Sequence, residues 1–198
     1  MSLVTCDIAI SVDGYSAGPN QSLENPMGEG GEHQLARWMF EQPDENAAAI
    51  EAILDAGAFI MGRNMFSPGR GEWDEAWNGW WGADPPYHAS VFVLTHFPRD
   101  PVLMVGGTTF FFVTDGIHSA LTQARAVAGE RNVSIAGGAH TVRQYLTAGL
   151  IDELRLHIAP VVLGAGERLF EGVADVALEQ IDSSSSSLVT HVNYRVLH

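Results

Sequence analysis

An apolar, β-branched run, Asn132-Val133-Ser134-Ile135-Ala136, ends in Gly137-Gly138. Apolar residues at helical spacing follow at once: Val142, Tyr145, Leu146 and Leu150. The reading is strand, glycine pair, helix. Two glycines let the backbone turn sharply and let a ligand approach where no Cβ stands in the way. The helix then begins with unpaired N–H groups and a partial positive charge directed at the same point, a place that suits a phosphate or pyrophosphate. Gly137, Gly138, Ala139, His140 and Thr141 are therefore candidate phosphate-binding residues. The competing reading is a tight strand-to-helix turn that binds nothing.

The same alternation runs along the chain. In residues 4–12, Val4, Cys6, Ile8, Ile10 and Val12 alternate with Thr5, Asp7, Ala9 and Ser11, as in a strand. Residues 32–41 and 46–56 read as helices, the first with Leu35, Trp38 and Met39 inward, the second carrying Ile50, Ile53 and Leu54. Short buried strands follow at 58–61, closed by Gly62, and at 91–94; a minor strand falls within 101–107 and a main one at 109–114. Asp115 is placed to cap a helix reaching Ala128. Residues 153–159 alternate again, and 176–181 and 188–197 read as strands joined by the polar turn 183–187. Strands alternating with helices predict an α/β fold in one domain, residues 1–198, with a mostly parallel sheet covered on both faces and a terminal antiparallel hairpin.

Composition narrows the function. The 198 residues carry a formal charge of −14, and all ten basic residues are arginine. Without lysine, Schiff-base chemistry and a Walker-type phosphate lysine are excluded. An acidic protein repels a nucleic-acid backbone, so no nucleic-acid partner is expected. An anionic ligand must find a local arginine. The single cysteine, Cys6, excludes an internal disulfide framework and a multi-cysteine zinc site, and it alternates with inward residues as a small core side chain. The eight histidines show no metal-binding spacing, so no metal is expected. No apolar run approaches the roughly 18 residues of a membrane span, and the opening residues lack the basic stretch of a signal peptide. The expectation is a cytoplasmic protein with no membrane partner.

Four segments in order carry a resemblance. Ala9-Ile10-Ser11-Val12-Asp13-Gly14-Tyr15 is similar to the first strand and loop of dihydrofolate-reductase-like proteins. Ile60-Met61-Gly62-Arg63-Asn64-Met65-Phe66 resembles their glycine-arginine strand end, and Ile135-Ala136-Gly137-Gly138 their pyrophosphate turn. Gly149-Leu150-Ile151-Asp152-Glu153-Leu154, with Pro160-Val161-Val162-Leu163-Gly164-Ala165-Gly166, resembles the branch related to the reductase domain of riboflavin biosynthesis. The resemblance implies a dihydrofolate-reductase-like three-layer fold, NADPH as cofactor, and hydride transfer to a small-molecule substrate. In the riboflavin branch that substrate is a ribosylamino-pyrimidine, 5-amino-6-(5-phosphoribosylamino)uracil, whose ribose is reduced to a ribityl chain. The His-x-Glu and Pro-Cys-x-x-Cys pattern of the zinc deaminase that often accompanies this domain is absent.

The resemblance also implies roles. Gly62, Arg63 and Asn64 would meet the cofactor, Arg63 by pairing its fork with the 2′-phosphate or pyrophosphate; a surface arginine at a turn is the alternative. Dihydrofolate reductases proper have a threonine two residues after this arginine, where this chain has Met65. Thr95 and His96 stand where those enzymes carry a serine-arginine pair for the 2′-phosphate, which leaves NADPH over NADH open, and His96 reads equally as a solvated loop residue. Thr114 would line the cofactor cleft. Asp13 is the catalytic candidate, set at the carboxyl end of the first strand where ligands gather; an ordinary Asp-Gly turn is the equal alternative. Glu29 and Glu32 open the next helix, but neither aligns as the proton donor. Trp73, Trp77, Trp80 and Trp81 read as packing, as a lid, or as a contact of a homodimer. A non-catalytic NADP(H)-binding module and a dihydrofolate reductase-type enzyme remain the alternatives to a pyrimidine reductase.

Overall fold

Strand periodicity separates two environments in the first element. β1 (Val4–Ser11) sends Val4, Cys6, Ile8 and Ile10 into one apolar core and Thr5, Asp7 and Ser11 to the opposite face, all of them buried. The computed structural model describes residues 2–198, apart from the side chains of Glu32 and His33; Glu32, one of the acids opening the expected first helix, thus lies outside the described side chains.

In chain order, β2 (Tyr15–Ala17), α1 (Glu32–Leu35), α2 (Arg37–Glu41), α3 (Ala47–Leu54), β3 (Ala58–Gly62) and α4 (Arg63–Phe66) follow β1. Then come β4 (Ser90–Leu94), β5 (Val102–Leu103), β6 (Thr109–Val113), α5 (Ile117–Ala128), β7 (Val133–Gly137) and α6 (Ala139–Thr147). The chain ends with β8 (Glu153–Ala159), β9 (Glu167–Arg168), β10 (Ala177–Ser185) and β11 (Thr190–Leu197). One sheet runs β10-β11-β8-β1-β7-β3-β4-β6-β5, and β2 pairs β9 in a second, two-stranded one. β8, β1, β7, β3, β4 and β6 are parallel neighbours, whereas β11, β10 and β5 join antiparallel. The parallel sheet with a terminal antiparallel hairpin is the architecture expected from the alternation.

The helices divide between the faces. Ala120, Leu121 and Ala124 of α5 and Val142, Tyr145 and Leu146 of α6 pack on the core that includes Cys6, Ile8, Ile60 and Leu154. On the other face, Phe59, Met61, Val91, Val93 and Phe110 form a second core closed by Phe66, Tyr87 and the half-buried Trp73, Trp77 and Trp81. The irregular segment 67–89 is fastened there by hydrogen bonds. Trp73 Nε1 donates to Phe97 O at 2.8 Å and Trp77 Nε1 to Phe66 O at 2.8 Å. Arg99, its side chain 2% exposed, donates to Trp77 O at 2.7 Å and Glu75 O at 3.0 Å. The tryptophans are packing residues, with Trp80 and Trp81 also reaching the cavity described below.

Four local expectations are corrected. The helix expected over 32–41 breaks at Ala36. Trp38 is fully buried, and its indole N–H takes the Leu35 carbonyl at 3.0 Å, satisfying an acceptor at the break. Asp115 does not cap α5, which Gly116 precedes at φ +92°; its carboxylate accepts from Ser119 Oγ at 2.9 Å instead. α3 buries none of Ile50, Ile53 and Leu54 fully: Ile53 and Leu54 line the cavity, and Leu54 also packs against the second core. The serines 183–185 belong to β10, not to a turn: β10 continues past a bulge between Gln180 and Asp182 and is exposed throughout as the edge of the sheet.

Gly62 shows how tightly β3 meets α6. A Cβ there would collide with Thr141 Oγ1. Gly62→Ala is expected to cost about 1–3 kcal/mol of stability by overpacking. Thr141→Ala in the same chain should return part of that loss, a coupling that urea unfolding of the single and double variants measures.

Candidate functional site

Parallel strands deliver their carboxyl ends to one edge of the sheet, and loops leaving that edge enclose a cavity of about 1200 Å³. Every cofactor-site residue singled out from the sequence lines it: Gly62, Arg63 and Asn64 where β3 meets α4, Thr95 and His96 after β4, Thr114 after β6, and Gly137, Gly138, Ala139, His140 and Thr141 where β7 meets α6.

The glycine pair brings backbone without a Cβ into the cavity wall. Gly137 adopts φ +118°, a region that favours glycine, and the Gly137–Gly138 peptide is cis. Gly138 is extended, immediately before α6, and a Cβ placed on it would meet nothing within 4 Å. The two glycines beside the cavity thus have different causes. Gly62 makes room for Thr141 of this chain, whereas the space over Gly138 is left open.

Arg63 is held flat. Its guanidinium lies 3.9 Å from the Trp73 ring centroid and 5.2 Å from that of Phe97, and one Nη donates to Glu72 O at 3.3 Å. Its Nε is buried with no hydrogen-bond partner among the described residues. Burial, and then the Arg70 charge, lower its pKa, so an anion arriving here meets two guanidiniums that oppose each other. Arg70 donates to Asn64 Oδ1. Thr95 is buried and spends its hydroxyl on Phe97, accepting from the amide at 3.1 Å and donating to the carbonyl at 3.3 Å. His96 is exposed beside it.

Asp13 is placed elsewhere. Its two carboxylate oxygens accept from Leu163 N at 3.1 Å and Gly164 N at 2.8 Å, and it is not among the residues that line the cavity. The Ser11 hydroxyl, followed by the Gly164 and Leu163 amides, holds its carboxyl down at about 2. The carboxylate ties the loop after β8 to the end of β1.

A polar cluster at the other end of the cavity was not singled out from the sequence. Asp7 on β1, His157 on β8 and Trp38 on α2 line that wall. Strand register puts Asp7 beside Arg155 and His157 beside His191 of β11. Arg155 Nη1 lies 3.6 Å from Asp7 Oδ2, and His157 Nε2 lies 3.6 Å from Asp7 Oδ1. His157 Nδ1 meets His191 Nδ1 at 2.7 Å, and His191 Nε2 meets Asn46 Oδ1 at 3.0 Å. The signal was present in the alternation: an acid and a histidine in the middle of β1 and β8, and a second histidine near the start of β11, all buried.

The RibD C-terminal domain family model matches residues 2–192. A protein of Bacillus subtilis strain 168, Uncharacterized protein YyaP, is 24% identical over 96% of this chain and 93% of its own. The crystal structure of a putative riboflavin biosynthesis protein from Shewanella sp. PV-4 superposes with a TM-score of 0.71 at 22% identity, covering 99% of both chains. Dihydrofolate reductase from Enterococcus faecalis, complexed with NADP(H) and RAB-propyl, superposes with a TM-score of 0.58 at 13% identity over 99% of this chain and 97% of that one. The fold is dihydrofolate-reductase-like.

The buried histidine pair has a consequence for stability. Burial, and then the neighbouring His157, lower His191 from 6.5 to about 4. Between those values the unfolded chain binds more protons than the folded one. Stability should therefore be complete above about pH 6.5 and fall as the pH drops through this window, because the folded state resists the proton that the unfolded imidazole accepts. His191→Gln should flatten that slope in urea unfolding measured from pH 7 to pH 4.

Proposed function

The chain belongs to the RibD C-terminal domain family, and from that membership and the cavity we propose a nicotinamide-dependent reductase of a small heterocycle. The proposed cofactor is NADPH, and the proposed substrate is a ribosylamino-pyrimidine of the 5-amino-6-(5-phosphoribosylamino)uracil type. The observation that carries the reading is the glycine turn: backbone open at Gly138, at the start of a nine-residue helix, in the wall of a cavity of about 1200 Å³.

The residues present fit a dinucleotide phosphate. Space over Gly138 and the first-turn amides of α6 suit a pyrophosphate. The unpartnered Nε of Arg63, with Arg70 close by, suits a further phosphate, and Trp73 and Phe97 hold the guanidinium in place. His96 stands exposed at the same corner. When bound, the cofactor supplies a hydride. The chain's own part is to hold the acceptor against the wall where Trp38 offers an aromatic surface. We assign Asp13 a positioning role through the loop at Leu163 and Gly164. The reading places the reaction in the cytoplasm.

We also propose a homodimer. β10 is a nine-residue edge strand exposed throughout, with Leu178 and Ile181 uncovered. A long open edge of this kind is a pairing surface that proteins cover or blunt, and a second copy related by a two-fold axis would cover it.

Four measurements test these proposals. NADPH at about 100 times its Kd should stabilise the fold by roughly 2.7 kcal/mol; no shift in Tm with millimolar NADPH or NADH removes the cofactor. Gly138→Val should abolish that shift while the unliganded Tm stays near wild type, because the added side chain enters open space. Arg63→Ala should weaken NADPH by about tenfold or more, as loss of a charge-assisted pair of about 1.5–3 kcal/mol requires. Loss for NADPH alone marks the 2′-phosphate, and equal loss for NADH marks the pyrophosphate. Light scattering at micromolar concentration should give twice 21.4 kDa, and a mass near 21.4 kDa removes the dimer.

A further inference from the structure

The far wall of the cavity holds a chain of hydrogen bonds whose protons can be assigned from one end. Asn46 Nδ2 donates to Gln42 O at 2.8 Å and to Trp38 O at 3.4 Å, and carbonyls only accept, so the amide orientation is set. Asn46 Oδ1 therefore faces His191 Nε2, which must carry a proton. His191 is held neutral by burial and by His157, so its Nδ1 is bare and accepts from His157 Nδ1. The one site where the proton count can still change is His157 Nε2. It faces Asp7 Oδ1, and neither atom has a hydrogen-bond partner among the described residues.

Among the described residues, the charged groups around that atom come from two strands, β1 and β8. Asp7 comes from β1, and Arg155 and Glu153 from β8, with Arg155 Nη2 bonded to Glu153 at 3.1 Å. β11 supplies His191, opposite His157, and Asn193, opposite Arg155. α2 supplies Trp38, whose ring centroid lies 5.0 Å from each imidazole. Among the described residues, two carboxylates stand against one guanidinium, an excess of one negative charge that a proton on His157 Nε2 balances.

We propose that His157, in the cavity wall, is the acid of the reduction, its buried Nε2 proton held against Asp7 and given to the heteroatom of the C=N or C=O bond being reduced. This rests on the reductase reading. As the carbon accepts hydride, the π electrons of that bond move to its nitrogen or oxygen, which bonds the proton as the Nε2–H bond breaks. The substrate is reduced, the reduced nicotinamide is oxidised, and the imidazole is left neutral until solvent returns its proton. The carbon-bound hydrogen and the heteroatom-bound hydrogen account for both atoms added. The 3.6 Å between Nε2 and Oδ1 exceeds a hydrogen bond, and catalytic contacts often tighten only when substrate arrives. Asp7 is a positioning residue that holds the proton on Nε2.

The first test needs no substrate. In protein labelled with 15N-histidine, His191 should show Nε2 protonated and Nδ1 bare from pH 5 to pH 8. His157 should carry a proton on Nε2 as well as on Nδ1, and Asp7→Asn should remove the Nε2 proton. A His157 Nε2 that is bare throughout overturns the proposal. The second test is NADPH oxidation with the ribosylamino-pyrimidine or dihydrofolate. His157→Gln should lower kcat by about a hundredfold or more with KM for NADPH unchanged, and should abolish the fall of kcat at high pH. Asp7→Asn should shift that fall to lower pH. Wild-type kcat and an unchanged pH profile in His157→Gln overturn the proposal. Should His157→Gln fail to fold, judged by its melting curve, the Asp7→Asn profile and the imidazole signals decide. If the wild type binds NADPH but reduces neither compound, the reductase reading falls alone. The His157 signal in that same protein then upholds or overturns the pair with Asp7.

Discussion

A sheet covered on both faces leaves its strands no solvent side, and that constraint organises this molecule. Along β1 the apolar residues Val4, Cys6, Ile8 and Ile10 satisfy it by packing against α5 and α6. Thr5, Asp7 and Ser11 point the other way and are buried as well. A buried carboxylate is tolerable only beside compensating charge. Register supplies Arg155 from β8 at the position opposite Asp7, and β11 adds His191 beside His157. The polar wall of the cavity is therefore a product of strand pairing. It could not exist without the parallel β1–β8 ladder or the antiparallel β8–β11 one.

What could be read in advance follows from the range of the forces. Period-two and period-3.6 patterns are local, so the strands and helices of the main sheet were legible, as was the parallel arrangement with its terminal hairpin. The glycine turn was legible because the backbone demand is local too. The break at Ala36 was not: it is fixed by the burial of Trp38 and the destination of its indole N–H, which are tertiary facts. Asp115 failed as a cap because Gly116, at φ +92°, sets the entry to α5. The hydrogen bonds of Asp13 run to residues 150 and 151 positions away, beyond any window of sequence. Asp7, His157 and His191 were individually visible as polar residues in strands. What brought them together was the order of the sheet.

Glycine is the residue type most easily misread in such a chain. Gly62 and Gly138 both end β-structure beside the same cavity, and a motif comparison treats them alike. Their surroundings differ. One is small because a hydroxyl of its own chain occupies the space, and the other because nothing does. Removing the first freedom strains the fold, and removing the second only fills a recess. Arg63 carries a similar double signal, since stacking on Trp73 fixes its plane while its Nε stays unpartnered. Packing and binding share the same side chain.

The serine-rich end of β10 has a different kind of consequence, one of information. Identical neighbours carry no address: slide the strand along its partner, and one serine replaces another. Yet a slip of a single residue would turn every side chain to the opposite face. Alignment must then be written outside the repeat. Two marks do so on either side of the bulge: Arg195 grips Glu179 at 2.6 Å, and Asn193 donates to Asp182 at 2.7 Å. Four polar side chains thus act as the graduations of the hairpin, and the serines are blank tape that lengthens the sheet without instructing it.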